Sequence, residues 1–143
     1  MVTDDKELKK ILETTRTIAT VGASTNDEKP SYWIFAYLKA KGYNMIPVNP
    51  NATELQGVKV YPNLAAIPEK VDVVQIFRRP EDVPPIVDDA IQVGAKVVWM
   101  QKGIVNWEAA SKAEKAGLQV VMDRCMRETH ERLFSVPLNW MRR

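Results

Sequence analysis

Short runs of apolar, mostly β-branched residues alternate along the chain with segments in which apolar residues recur every three or four positions. The short runs are typical of strands buried on both faces of a sheet, and the recurring pattern is typical of helices packed against it. The predicted strands are 17–21, 43–50, 57–61, 71–77, 96–100 and 118–122. The run at 57–61 alternates with a lysine, which places it at a sheet edge.

Capping residues mark where the intervening helices begin and end. The candidate N-caps are Thr3 or Asp4, Ser31 and Asn106, and the candidate stops are Gly42, Gly94 and Gly117. Two consecutive prolines, Pro84 and Pro85, fit only the first turn of a helix, so the helix after 71–77 should begin near Asp82 or Val83. A last helix is predicted from about residue 127 to 134.

Regular alternation of strands and helices predicts an α/β fold with a parallel sheet and helices on both of its faces. We expect a single Rossmann-like, doubly wound domain over 1–143, with about five strands in the central order 3-2-1-4-5. Its core should span about 15–134, preceded by an N-terminal helix within 1–14. The tail 135–143 is apolar enough to need a partner surface.

Composition narrows the function classes. The 143 residues carry a net charge of +2 with acids and bases interspersed, which gives no case for nucleic-acid binding. No apolar run approaches the roughly 20 residues that span a bilayer, so no membrane partner is expected. A single cysteine excludes an intrachain disulfide and favours the reducing cytoplasm. A homodimer is compatible with the sequence but does not follow from it.

In doubly wound sheets a ligand binds beyond the carboxyl ends of the strands. The first such loop, 22–30, joins a predicted strand to a predicted helix start, which is an arrangement suited to anions. It has one glycine where a dinucleotide fingerprint needs three, and Asn49 stands where that fingerprint has an acid. NAD is therefore disfavoured, and a phosphate-binding P-loop motif is absent from the sequence.

The predicted edge is instead basic and rich in hydrogen-bonding side chains, as suits a ligand with several phosphates. These side chains are Ser24, Lys29, Ser31, Arg78, Arg79, Gln101 and Lys102. Each basic residue taken alone is more simply a solvated surface charge. Arg78 and Arg79 are more telling, because they directly follow a predicted buried strand.

Five segments resemble the family of small stand-alone coenzyme A-binding proteins. They are 18–24, 42–50, 71–79, 97–103 and 120–125, and the resemblance extends in order over roughly residues 15–134. The chain is more distantly similar to the N-terminal domain of the succinyl-CoA synthetase α subunit. The synthetases add a second domain with a reactive histidine and a nucleotide-binding subunit, for which 143 residues leave no room.

The resemblance implies that coenzyme A or an acyl-CoA, a nucleotide ligand, lies across the strand ends. It implies a pyrophosphate at Gly22, Ala23 and Ser24, and an adenosine part flanked by Val48, Asn49 and Pro50. It also implies that the rest of the ligand, with its pantetheine arm, is bordered by Phe77, Arg78, Arg79, Met100, Gln101 and Lys102. From loop position and charge we add Lys29 as the partner of the 3′-phosphate. An acid in place of Asn49 would repel that phosphate.

The sequence predicts no catalytic residue and no metal site. Cys125 and His130 are five positions apart, about 140° around a helix, and the simpler interpretation is a buried structural thiol and a surface histidine. We therefore expect a binding or sensing module without catalysis. Two alternatives remain: a CoA-dependent enzyme or subunit whose chemistry needs Cys125 or a partner chain, and an interaction protein with a vestigial pocket.

Overall fold

A five-stranded parallel sheet forms the centre of the protein in a computed structural model that describes residues 1–135. The strands are β1 Thr17–Val21, β2 Asn44–Val48, β3 Glu54–Leu55, β4 Val58–Lys59, β5 Val73–Ile76, β6 Val97–Met100 and β7 Gln119–Val121. The sheet order is β2-β1-β5-β6-β7, and β3 and β4 form a separate two-stranded antiparallel hairpin. The helices are α1 Asp5–Thr14, α2 Pro30–Ala40, α3 Val83–Gln92, α4 Trp107–Lys115 and α5 Met126–Phe134.

Each face of the sheet is covered by its own set of helices. Successive strand residues point to opposite faces, so Val73 packs with α1, α2 and α5, whereas Val74 packs with α3 and α4. The largest fully buried side chain, Trp99, lies on the first face and donates its indole N–H to the carbonyl of Arg124 over 2.9 Å. The predicted doubly wound α/β architecture is therefore confirmed.

The predicted third strand, 57–61, is not a continuous strand of the main sheet. Gln56 and Gly57 both adopt positive φ, which turns the chain into the β3–β4 hairpin. Within 57–61, it is Tyr61 that pairs with β2, through a parallel bridge with Val48. The proline that follows, Pro62, cannot donate a further ladder hydrogen bond. The segment predicted as a strand beside β2 therefore pairs with it through a single bridge.

Two of the predicted helix caps are confirmed and one is wrong. Asp4 caps α1, and Asn106 caps α4 by accepting from the backbone N–H of Ala109 over 2.9 Å. Ser31 is not a cap, because α2 begins one residue earlier, at Pro30, and Ser31 is buried within its first turn. The proline fixes the φ that a first helical position needs. Lys29 becomes the N-cap, without a side-chain capping bond.

His130 is not a surface residue. It is 9% exposed, its Nδ1 lies 2.9 Å from the Tyr37 hydroxyl, and its ring stacks on Phe134 at 4.6 Å between centroids. Burial, and next the nearby Lys41 ammonium, lower the pKa of His130 below its usual value. The His130 side chain therefore belongs to an aromatic cluster that joins α2 and α5.

Within residues 1–135, no helix is both long enough and apolar enough to cross a membrane. In the same part of the chain, no three His, Cys, Asp or Glu side chains group so as to hold a metal ion. The predicted apolar tail lies outside the described residues, from residue 136 onward.

Asp72 fastens the amino edge of the sheet, opposite the edge where a ligand is expected. Its Oδ2 accepts the backbone N–H groups of Arg16 and Thr17, each over 3.0 Å, and its Oδ1 lies 3.5 Å from Lys96 Nζ. Burial raises the pKa of Asp72, but the two backbone donors and the lysine outweigh burial and lower it below its ordinary value. The ionised carboxylate therefore stabilises the fold.

We expect Asp72→Asn to lower the free energy of unfolding by about 1.5–3 kcal/mol at pH 7, the usual worth of hydrogen bonds to a charged group. Because the folded pKa is the lower one, this stabilisation exists above the unfolded pKa of about 3.9 and is lost as the pH falls through the folded value. Urea unfolding between pH 7 and pH 3 should show the variant and the wild type converging. Asp88→Asn, at an exposed pair with Lys112, should change stability by no more than about 1 kcal/mol. A constant difference at all pH values would contradict this role.

Candidate functional site

A cleft of about 870 Å³ opens at the carboxyl edge of the sheet. Its walls are the loop after β1, the start of α2, the loops after β5 and β6, and the start of α5. It is lined by Gly22, Ser24, Glu28, Lys29, Pro30, Ser31, Trp33, Ile34, Phe77, Arg78, Gln101, Lys102, Ile104, Cys125, Arg127 and Glu128. Eight of the predicted site residues lie in this lining: Gly22, Ser24, Lys29, Ser31, Phe77, Arg78, Gln101 and Lys102.

Gly22 brings the loop after β1 directly against the end of β5. Its φ is +88°, and a Cβ at this position would lie 2.6 Å from the carbonyl oxygen of Phe77. On the other side its N–H donates to the carbonyl of Val48 over 3.1 Å. The aliphatic part of Arg78 also lies close, since the same Cβ would be 3.0 Å from Arg78 Cδ. Only glycine combines this backbone conformation with this contact.

The rest of the loop is shaped by its own short polar side chains. Ser24 Oγ accepts from the backbone of Asn26 over 3.0 Å, and Asn26 Oδ1 accepts from the backbone of Glu28 over 2.9 Å. The indole N–H of Trp33 donates to the carbonyl of Asp27. These bonds fold the loop over the start of α2, and they leave Trp33 56% exposed at the cleft.

A second hollow of about 310 Å³ lies beside the cleft. Gly22 and Arg78 line both spaces, so the two spaces adjoin at these residues. Val48 and Pro50, two predicted site residues at the end of β2, line this hollow together with Leu64 and Ile86. Together the two spaces extend along the carboxyl edge of the sheet, across the ends of β2, β1, β5 and β6.

Four predicted site residues line neither space. Ala23 and Met100 are buried, at 2% and 0% exposure. Asn49 uses its side chain within the protein, where Nδ2 donates to the carbonyl of Ala23 over 2.7 Å and Oδ1 accepts from the backbone of Asn51. Arg79 turns outward to Asp82 and Glu81 over 3.2 and 3.3 Å. Asn49 thereby ties the end of β2 to the loop after β1.

A chain of buried hydrogen bonds runs across the sheet beneath the cleft. The Thr20 hydroxyl lies 3.0 Å from Gln75 Oε1, Gln75 Nε2 lies 3.2 Å from Gln101 Oε1, and Gln101 Oε1 accepts the backbone N–H of Met126 over 3.0 Å. Because the last donor is a backbone N–H, it fixes the orientation of both carboxamides and makes Thr20 a donor. Gln75 lies within an apolar run, and no pattern in the sequence predicts this series of hydrogen bonds.

The start of α5 forms a further wall of the cleft, which was not among the predicted strand-end loops. Cys125, Arg127 and Glu128 line it, and Glu128 lies 3.7 Å from Lys102 across the opening. The rule that located the other loops would also have located this one, since 122–125 follows the carboxyl end of β7. Arg127 Nε is buried there without a hydrogen-bond partner, 3.7 Å from Glu131.

The cleft is electropositive. Its lining holds four basic side chains, Lys29, Arg78, Lys102 and Arg127, against two acidic ones, Glu28 and Glu128. Within residues 1–135, Lys29 makes no ion pair, and Arg78 has only a 3.8 Å contact with Asp82. An anionic ligand can therefore meet basic groups that the protein does not neutralise.

Comparisons with known proteins agree on one family. A family model described as a CoA binding domain matches residues 16–131. An uncharacterized protein of Bacillus subtilis, YneT, is 36% identical over 124 residues, which cover 87% of this chain and 92% of that protein. An ADP-forming acetate–CoA ligase of Archaeoglobus fulgidus is 35% identical over 83 residues, 57% of this chain and 12% of the ligase.

Solved structures give the same result. A hypothetical protein from Pyrococcus horikoshii is 42% identical, with a TM-score of 0.91 and coverage of 93% of this chain and 94% of that one. A dinucleotide-forming acetyl-coenzyme A synthetase from Ca. Korarchaeum cryptofilum is 29% identical, with a TM-score of 0.66, and the match covers 75% of this chain and 26% of the synthetase. The chain thus corresponds to a whole small protein in one case and to one part of a larger enzyme in the other.

Gly22→Ala should disrupt the junction on which the site is built. The positive φ alone costs about 1–3 kcal/mol for a residue with a Cβ, and the clash with the Phe77 backbone adds to that cost. Gly94→Ala is the matched control, because Gly94 has φ +75° but open space around it. Urea unfolding should show a clearly larger loss for Gly22→Ala than for Gly94→Ala. Equal losses would mean that the contact with Phe77 is unimportant.

Proposed function

The chain belongs to the CoA-binding domain family, and we propose that it binds coenzyme A or an acyl-CoA along the carboxyl edge of its sheet. We propose further that it acts as a binding and sensing module and does not turn the ligand over. The observation that carries the proposal is the electropositive cleft built around Gly22, which lies where a doubly wound sheet binds its ligand.

One polar group in the cleft supports a ligand rich in acceptor atoms. Gln101 lines the cleft and is 4% exposed, and its Nε2 has no acceptor within residues 1–135, although its Oε1 has two donors. A donor on so deeply buried a side chain is normally satisfied. Phosphate, amide and thioester oxygens of an acyl-CoA are acceptors that would satisfy it.

The two spaces fit the two ends of such a ligand. We assign the adenosine part to the smaller hollow beside Val48 and Pro50, and the pyrophosphate to the junction at Gly22, Ser24 and Arg78. The pantetheine arm then occupies the larger cleft toward Gln101 and Lys102. Phe77 borders this path, Ser31 lies beside the phosphates, and Ala23, Asn49, Arg79 and Met100 contribute backbone or support from beneath and beside it.

Lys29 is assigned to the 3′-phosphate. It lies at the start of α2 in the lining of the larger cleft, while Val48 and Pro50 line the smaller hollow. This contact therefore requires the ribose to turn its phosphate over the loop after β1, toward α2. The alternative contact for Lys29 is the pyrophosphate. The two contacts can be told apart, because only a contact with the 3′-phosphate is lost when dephospho-CoA replaces coenzyme A.

Lys29→Ala should weaken coenzyme A binding by about one to two decades, since a lost charge-assisted contact costs about 1.5–3 kcal/mol. Binding of dephospho-CoA should change little, so the variant narrows the difference between the two ligands. Calorimetric titration of both ligands and of NAD, with wild type and variant, measures this. Wild type should bind coenzyme A best and NAD worst.

Lys115→Ala is the matched control, because Lys115 is an exposed lysine in the last turn of α4. It should leave all affinities unchanged. An equal loss for coenzyme A and dephospho-CoA in Lys29→Ala would move Lys29 to the pyrophosphate. No binding of coenzyme A to the wild type, or equal affinity for all three ligands, would overturn the proposed function.

A further inference from the structure

Cys125 lies in the wall of the larger cleft, at the residue that precedes α5. It is 9% exposed, it is the N-cap of that helix, and its side chain makes no capping hydrogen bond. The backbone N–H groups of the first helical turn have no acceptor within the helix. Cys125 is therefore both a lining residue of the cleft and a neighbour of the positive end of α5.

A second and independent feature at the same place is the carboxamide of Gln101. Its Oε1 is held by the backbone N–H of Met126, the residue next to Cys125, and by Gln75. Gln101 lines the cleft and is only 4% exposed, and its Nε2 makes no hydrogen bond within residues 1–135 to an acceptor other than through the Gln75 pair. A free donor on so deeply buried a side chain points to an oxygen of a ligand in the cleft.

We propose that Cys125 accepts the acyl group of a bound acyl-CoA, an inference that rests on the proposed function. The Cys125 sulfur attacks the thioester carbon, a carbon–sulfur bond forms to Cys125, and the carbon–sulfur bond to CoA breaks. CoA leaves as the thiol, with the proton that Cys125 gives up to solvent returned to it. One thioester replaces another, so no oxidant or further reactant is needed.

The surrounding groups suit this step. Gln101 Nε2 can donate to the thioester oxygen as negative charge develops there, and the N-terminal turn of α5 adds its positive field. Thr20 and Gln75 hold that carboxamide in one orientation from the core. Without turnover, the acyl group would stay on Cys125 after CoA has left, which agrees with a protein that senses acyl-CoA.

The experiment incubates the full-length protein with acetyl-CoA at neutral pH, stops the reaction with acid and measures the intact mass and the free CoA thiol. We expect one acetyl group per chain, mapped to Cys125, removable by neutral hydroxylamine and matched by one CoA released. Cys125→Ser should take up none, because serine has nearly the same size but lacks the thiol that forms the new thioester. Calorimetry with CoA should show that this variant still binds.

Gln101→Glu is the informative second variant. A glutamate keeps an oxygen for Met126 and Gln75 but cannot donate to the ligand, so acetylation should slow roughly tenfold or more. S-acetyl-N-acetylcysteamine, which carries the same thioester without the nucleotide, should label Cys125 much more slowly than acetyl-CoA does. CoA release beyond one equivalent that disappears in Cys125→Ser would support the transfer, and it would overturn the part of the proposed function that excludes turnover.

The proposal is overturned if acetyl-CoA binds by calorimetry but Cys125 stays unmodified. It is also overturned if the small thioester labels Cys125 as fast as acetyl-CoA does, or if labelling is confined to lysines and resists hydroxylamine. In these cases the proposed function stands. Absence of any binding of CoA or acetyl-CoA would instead overturn the proposed function, and this inference with it.

Discussion

The site depends on a contact between two stretches of backbone, the loop after β1 and the loop after β5, which meet at Gly22 and the Phe77 carbonyl. The hydrogen bond from Gly22 to Val48 adds the end of β2 to the same junction. With the strand ends so close, the start of α2 and the side chain of Arg78 are brought to one place. The cleft is therefore a consequence of how the sheet ends are packed, and not of a separate binding loop.

Much of this arrangement could be predicted from the sequence. Strands buried on both faces are nearly continuous apolar runs, so β1, β5 and β6 stand out, and the cap at Asn106 marks α4. Parallel strands then oblige their carboxyl ends to share an edge, which located Gly22, Lys29, Arg78 and Gln101 together. The missing dinucleotide pattern disfavours NAD and so favours a different phosphorylated ligand.

What could not be predicted depends on contacts between distant residues. Ser31 has the chemistry of a cap, but the neighbouring proline moves the helix start by one residue. His130 is as polar in sequence as any surface histidine, and only the packing of α2 against α5 buries it beside Tyr37. The turn at Gln56 and Gly57 likewise shortened a strand whose residues alone favoured it.

The chain of hydrogen bonds from Thr20 to Met126 has one direction, which the helix backbone sets. A change of donor or acceptor at any member leaves its neighbour facing a like partner: glutamate at 75, for instance, would put two oxygens against each other at Gln101. Positions 20, 75 and 101 are thus energetically coupled although they lie on different segments. During divergence of the family these three positions should change together. Covariation among them then reflects the hydrogen bonds across the sheet and not contact with the ligand.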